Sequence, residues 1–274
     1  MANEPIFLLG VGAQKCGTSW LYKQLAAQRE VMMSPIKELH YWDRRFHPGF
    51  FRPINRAAQL EKLLKQHGEK MIKSDAFERI AMECGEDYYL AFFRRRLKPH
   101  HKVLGEITPS YSILSDVELR HIREFIPYRT KAVFLMREPV ERMWSQCKME
   151  AMKSANRGGN KSAYDLFRNS LHVPQYSERA RYDLAVKNLL AAFPREDVFF
   201  GFYETLFDSA EVQRLALFLE MEKLDFVLDA NPNKSDELPR PEIEDWRNVR
   251  AGLSHVYEFV FGEFVGLVPS SWHG

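Results

Sequence analysis

The sequence predicts an α/β chain, either one large domain or a domain with a small helical addition, and three observations carry that expectation. At 274 residues the chain is long enough to bury one sizeable core. Residues 6–11, Ile-Phe-Leu-Leu-Gly-Val, form a short apolar run bounded by glycine, the length of a fully buried strand rather than of a helix. Residues 132–136, Ala-Val-Phe-Leu-Met, repeat the pattern at the centre of the chain.

The first strand leads into Gly12-Ala13-Gln14-Lys15-Cys16-Gly17-Thr18-Ser19-Trp20, after which Leu21, Leu25 and Ala26 recur at helical spacing. Thr18 and Ser19 are placed to cap the first turn. A strand, a glycine loop and a helix start together cradle a phosphate, because free backbone N–H groups and the helix dipole favour an anion there. Lys15 stands three residues before Thr18, whereas the loop of nucleotide kinases puts lysine directly before Ser/Thr. Read alone, the stretch also admits a plain strand-to-helix turn with a solvated lysine.

Next, Ser34-Pro35 breaks any helix, and Glu38 and His40 follow two apart, beside Tyr41 and Trp42. At that spacing a carboxylate and an imidazole share one side of an extended segment, and either can take a proton from a hydroxyl or amine. A surface charge beside a packed histidine is the plainer alternative. Residues 44–82 read as a peripheral excursion with a polar helix-like run at 56–66. Tyr88, Tyr89, Phe92 and Phe93 make an apolar helical stripe ahead of Arg94, Arg95 and Arg96, which suit a solvated helix end.

Residues 102–107 read as a strand stopped by Thr108-Pro109. Arg137 sits at the carboxyl end of the 132–136 strand, where ligands gather in open α/β sheets. Pro139 opens the following helix, and Ser145 lies two turns along it. An arginine fork and a serine hydroxyl there suit a phosphate. Residues 154–161 read as a loop, 197–202 as a further strand, and 230–241 as a Pro/Asn-rich basic loop containing Lys234 and Arg240. Tyr203 and Glu204 read as structural, 249–264 as one amphipathic helix, and Trp272 as packing.

Several of these stretches, in this order, resemble the sulfotransferases that use 3′-phosphoadenosine 5′-phosphosulfate (PAPS). Gly12-x-x-Lys15-x-Gly17-Thr18-Ser19 resembles their 5′-phosphosulfate loop. Arg137-Glu138-Pro139-x-x-Arg142-x-x-Ser145 resembles their 3′-phosphate motif at the same spacing. Lys37-Glu38-Leu39-His40-Tyr41-Trp42-Asp43 and Gly105-Glu106-Ile107-Thr108-Pro109-Ser110-Tyr111 resemble elements of the heparan-sulfate-type enzymes and their bacterial relatives. Ile107 stands where those enzymes often carry lysine, and the late glycine loop that closes over the nucleotide is missing.

The resemblance implies a single domain over 1–274 with a three-layer α/β/α fold, a mostly parallel sheet and kinship to P-loop kinases. It implies sulfuryl transfer from PAPS, leaving 3′-phosphoadenosine 5′-phosphate (PAP). Lys15, Glu38 and His40 would be catalytic, with Glu38 or His40 as base. Lys15, Cys16, Gly17, Thr18, Ser19, Trp20, Arg137 and Ser145 would bind the donor, with Lys234 or Arg240 standing in for the missing loop. The acceptor would be a small molecule, carbohydrate or glycolipid bearing a hydroxyl or amine. A nucleotide kinase and a non-catalytic nucleotide-binding relative are the competing readings.

Bulk properties narrow the field. A net charge of +2 implies no polyanion partner for the chain as a whole, and no basic, aromatic-interleaved stripe suggests nucleic acid. Three cysteines without a C-x-x-C pair read as reduced thiols, and the nine histidines show no metal-binding spacing, so no metal is expected. The early apolar run is too short for a signal peptide and nothing later approaches a membrane span, so a cytoplasmic setting is expected.

Overall fold

A computed structural model describes residues 4–51, 54–228 and 238–273. Among these, five strands form one sheet: β1 (Ile6–Gly12), β2 (Val31–Met33), β3 (Val103–Ile107), β4 (Thr130–Met136) and β5 (Val198–Phe202). Their order is β2-β3-β1-β4-β5 and every neighbouring pair is parallel. Each strand is buried along its whole length, which is why the strands are mainly apolar rather than alternating, with Glu106 in β3 and Thr130 and Lys131 in β4 as buried polar exceptions.

Helices fill the crossovers: α1 (Thr18–Ala26), α2 (Trp42–Phe46), α3 (Arg56–His67), α4 (Asp75–Ala81), α5 (Glu86–Arg94), α6 (Asp116–Phe125) and α7 (Pro139–Ala155). The connection from β1 runs towards β2, whereas those from β3 and β4 run the other way. Right-handed crossovers in opposite directions place helices on both faces, so the sheet is the middle of three layers. Chains leaving β1 and β4 therefore part company and open a crevice at their carboxyl ends. The donation from Ala13 N–H to the Leu135 carbonyl, 2.7 Å, holds the two strand ends together at that point.

Some local expectations change. Gly17, in left-handed conformation (φ 85°), is the residue before α1 and offers no side-chain cap, so Thr18 and Ser19 lie inside the first turn instead of capping it. Tyr88 points outward at 51% exposure, while Tyr89, Phe92 and Phe93 are buried and suffice to dock α5. The basic end of α5 is paired: Arg95 meets Glu78, and Arg96 meets Asp75 and Glu78. Residues 249–264 form two helices, Ile243–Gly252 and Ser254–Glu263, broken at Leu253. α7 runs to Ala155, past the expected start of the loop, and Trp272 is fully buried.

Candidate active site

The loop between β1 and α1 brings Lys15 to the crevice in left-handed conformation (φ 72°). A side chain at Gly17 would be strained, since its φ is positive and a Cβ there would stand 2.5 Å from Leu206 Cδ2 and 3.2 Å from the Tyr203 ring. With no cap in place, the first N–H groups of α1 remain free to bind an anion. Burial, then the charges of Arg137, Lys153 and Lys148, lower the pKa of Lys15. Mutual repulsion among these four cations gives the hollow a positive field, which an incoming anion relieves.

Arg137, at the end of β4, lies over the Tyr203 ring with 4.6 Å between guanidinium carbon and ring centre. It also pairs with Glu141 at 3.5 Å. Arg240 reaches the same carboxylate at 2.6 Å, on the Arg137 side of the crevice. Ser145 is buried on α7, one turn beyond Glu141 and one before Lys148. Below them, Glu138 caps α7 by accepting from Glu141 N–H, and Arg250 and Tyr257 donate to it. Glu204 accepts from the Glu138 N–H at 2.9 Å, a structural contact.

On the other side of Lys15 a chain of polar contacts crosses the site. Lys37 Nζ donates to Ser19 Oγ at 3.1 Å and to Glu38 Oε1 at 3.3 Å. Glu38 Oε2 faces His40 Nε2 at 3.2 Å, and His40 Nδ1 meets Asp43 Oδ2 at 2.7 Å. This segment is not extended: His40 has a φ of 53°, and that turn folds its ring back onto Glu38. Burial pushes the Glu38 carboxyl up, but the His40 hydrogen bond and the Lys37 charge outweigh it and hold it below its usual range. Burial also opposes the His40 charge, yet Asp43 and Glu38 raise its pKa to about 9. At neutral pH the pair is therefore a carboxylate and an imidazolium.

Glu106 on β3 fixes this segment from beneath. It accepts from Tyr89 at 2.8 Å, Thr108 at 2.7 Å and Tyr111 at 2.9 Å. The Tyr111 hydroxyl in turn accepts from the Tyr41 and Trp42 N–H groups, and Thr108 Oγ1 from the His40 N–H at 3.5 Å. Burial pushes Glu106 up to about 7 against these three donors. Ile107 is core, facing Gly10 across the sheet.

No protein-family model matches the chain. Over 193 residues, 65% of this chain, it is 26% identical to carbohydrate sulfotransferase 15 of Rattus norvegicus and of Mus musculus. The alignment takes in 32% of those proteins, so the chain spans about a third of the length of the curated relatives it matches. Among solved structures, a sulfotransferase from Alicyclobacillus acidocaldarius superposes with a TM-score of 0.68 and 20% identity, covering 99% of this chain and 100% of the other. The chain has the sulfotransferase fold. A sulfotransferase domain from the Synechococcus PCC 7002 olefin synthase, at a TM-score of 0.50 and 14% identity, covers 94% of this chain and 96% of its own.

Within that fold, Lys15, Gly17, Thr18, Ser19, Arg137 and Ser145 gather around the crevice, with Glu38 and His40 beside it. Two residues expected to bind the donor turn their side chains away. The Cys16 thiol is buried 3.6 Å from the Tyr182 hydroxyl, with its pKa pushed up to about 11, and Trp20 packs edge-on against Phe207 and Phe226. The Trp20 indole Nε1 has no hydrogen-bond partner among the described residues. Lys234 lies outside the described residues. The described residues hold no cluster of three metal-ligating side chains and no helix long and apolar enough to cross a membrane.

Sequence reasoning missed Arg179, Lys148 and Lys153. Arg179 reaches Gln14 Oε1 on the β1–α1 loop at 3.5 Å and Ser110 Oγ at 3.4 Å, and its buried Nε has no partner. Burial and then Arg142 lower its pKa. Lys148 could have been found by continuing the face of α7 from Ser145 by three residues. Arg179 carries no comparable signal, since it stands in a polar stretch remote in sequence from every motif.

Proposed function

We propose that this chain transfers the sulfuryl group of PAPS to a hydroxyl or amine of a carbohydrate, glycolipid or other small acceptor. The observation that carries the reading is the meeting, at one crevice, of a cation-lined phosphate cradle with an ionised carboxylate on its rim. A bisphosphorylated donor fits the residues present: the uncapped start of α1 and Lys15 suit its 5′ end, and Arg137 with Ser145 suits its 3′-phosphate. Arg240, through Glu141, stands close enough to replace the missing late loop.

The donor supplies a labile bond between sulfur and a phosphate oxygen. Glu38 takes the proton of the acceptor as its oxygen or nitrogen bonds to sulfur, and the electron pair of the broken bond leaves on the 5′-phosphate. Lys15 and the loop N–H groups meet that growing charge. His40, protonated between Glu38 and Asp43, has no free lone pair and so positions the base rather than acting as one. The nucleotide-kinase reading is not favoured, because Lys15 lies on the loop and not on the helix.

Calorimetric titration with PAP tests the reading. Wild type should bind, and Arg137→Ala should bind about 10- to 100-fold more weakly, the worth of charge-assisted hydrogen bonds to a phosphate. Binding of ATP in place of PAP would overturn the assignment in favour of the kinase, and binding of neither would indicate a protein without this catalysis.

A further inference from the structure

Beside His40 a cavity of about 220 Å³ opens, and its wall carries Arg44, Arg45, Arg56 and Arg79 together with Tyr41 and Glu83. Four guanidinium groups around so small a hollow repel one another, and withdrawing them from water costs free energy unless an anion compensates. Arg44, Arg45 and Arg56 each have partners within the chain. Arg45 pairs with Glu86 at 2.7 Å, while Arg56 pairs with Glu83 and donates to Gln59 at 2.7 Å. Arg44 lies over the Phe51 ring at 5.0 Å.

Arg79 differs. It is half-buried on α4, and among the described residues it makes no hydrogen bond or ion pair of its own. Burial and the neighbouring Arg44 disfavour its charge, offset only in part by the field of Tyr111, Glu106 and Asp43. A larger cavity, about 510 Å³, shares Arg56 and Arg79 as walls and continues past Ile36, Ile54 and Leu63. An occupant held at Arg79 thus has room for the rest of its structure.

We propose that Arg79, flanked by Arg44 and Arg56, binds an oxyanion carried by the acceptor itself: a carboxylate, sulfate or phosphate ester. The inference rests on the sulfotransferase reading and adds the acceptor's charge to it. His40 forms part of the cavity wall and contacts Glu38 at 3.2 Å, so an acceptor anchored at Arg79 would lie one side chain away from the base. The planar fork of arginine matches such oxyanions.

The test is calorimetric titration of inorganic sulfate into protein saturated with PAP, so that the nucleotide fills the donor phosphate sites. Sulfate should bind wild type, about tenfold or more weakly to Arg79→Gln, with partial recovery in Arg79→Lys. Lys15→Ala should leave sulfate affinity unchanged, which separates the arginine cavity from the sulfuryl position. Equal PAP affinity in wild type and Arg79→Gln would show that the fold and donor half are intact. Absence of saturable sulfate binding in wild type would overturn the proposal, as would a loss seen in Lys15→Ala but not in Arg79→Gln. Should wild type fail to bind PAP, the sulfotransferase reading falls, and the same sulfate titration without nucleotide still decides the arginine site. Acetate and inorganic phosphate, titrated in the same way, rank the three oxyanions.

Discussion

Replacing His40 by glutamine removes a cation held between two carboxylates, and its cost should depend on pH in a defined direction. His40 titrates at about 9 in the folded chain, against about 6.5 when unfolded. Below pH 6.5 both states carry the proton and the contribution to stability is complete. As pH rises from 6.5 to 9 the unfolded chain releases its proton while the folded one keeps it, so the contribution falls, and above 9 it is gone. At about 1.4 kcal/mol per pH unit this amounts to about 3 kcal/mol at most, and closer to 2 kcal/mol for a side chain that remains 24% exposed. Urea unfolding of wild type and His40→Gln should therefore show a gap of about 2 kcal/mol at about pH 6 that closes by about pH 9.5. Glu106, pushed up to about 7, makes stability fall as pH rises from its unfolded value to 7 and keeps that cost above 7, in both proteins alike, so it cancels in the difference. The contribution of Glu38, whose pKa is lowered, changes only on the acid side of this window. A gap that stays constant across the range would refute the ionic sandwich.

Lys15→Ala should lower turnover by about 10²- to 10³-fold, the cost of losing one stabiliser of transition-state charge. Measured as PAP released from PAPS, the loss should come with an unchanged unfolding midpoint, and near-normal turnover would remove Lys15 from the mechanism. Gly17→Ala should cost about 1–3 kcal/mol, because it combines a left-handed backbone with a methyl 2.5 Å from Leu206. Thermal unfolding checks this, and wild-type stability would show that the loop tolerates a side chain there.

Much of the sheet was legible because the central strands are buried on both faces, so that β1 and β4 appear as apolar runs closed by a glycine and an arginine, and β3 is marked by the Thr108-Pro109 stop. The donor half was legible for another reason: Lys15 to Ser19 and Arg137 to Ser145 are local patterns whose spacing survives folding. What depends on tertiary contact was not. Nothing near Arg179 in the chain indicates that it packs against Gln14 and Ser110, 165 and 69 residues away. The pairing of Glu38 with His40 was anticipated, but from an extended backbone, whereas a positive φ at His40 produces it. The late helix was read as continuous because Val249, Leu253, Val256, Tyr257 and Val260 all face the core, and the break at Leu253 leaves that burial pattern unchanged. The arginine cavity escaped notice because α3 and α4 supply Arg56 and Arg79 from a polar excursion with no motif of its own.

The ammonium of Lys37 touches both the first turn of α1 and the carboxylate of Glu38. Two stretches of chain proposed to meet different substrates are thereby tied by a link only two hydrogen bonds long. A shift of the helix start is passed directly to the carboxylate, and a third ammonium hydrogen remains for whatever lies between them. The start of α1 and the Glu38 carboxylate are thus linked through one side chain, in addition to the hydrogen bonds to Thr108 and Tyr111 that hold residues 40–42.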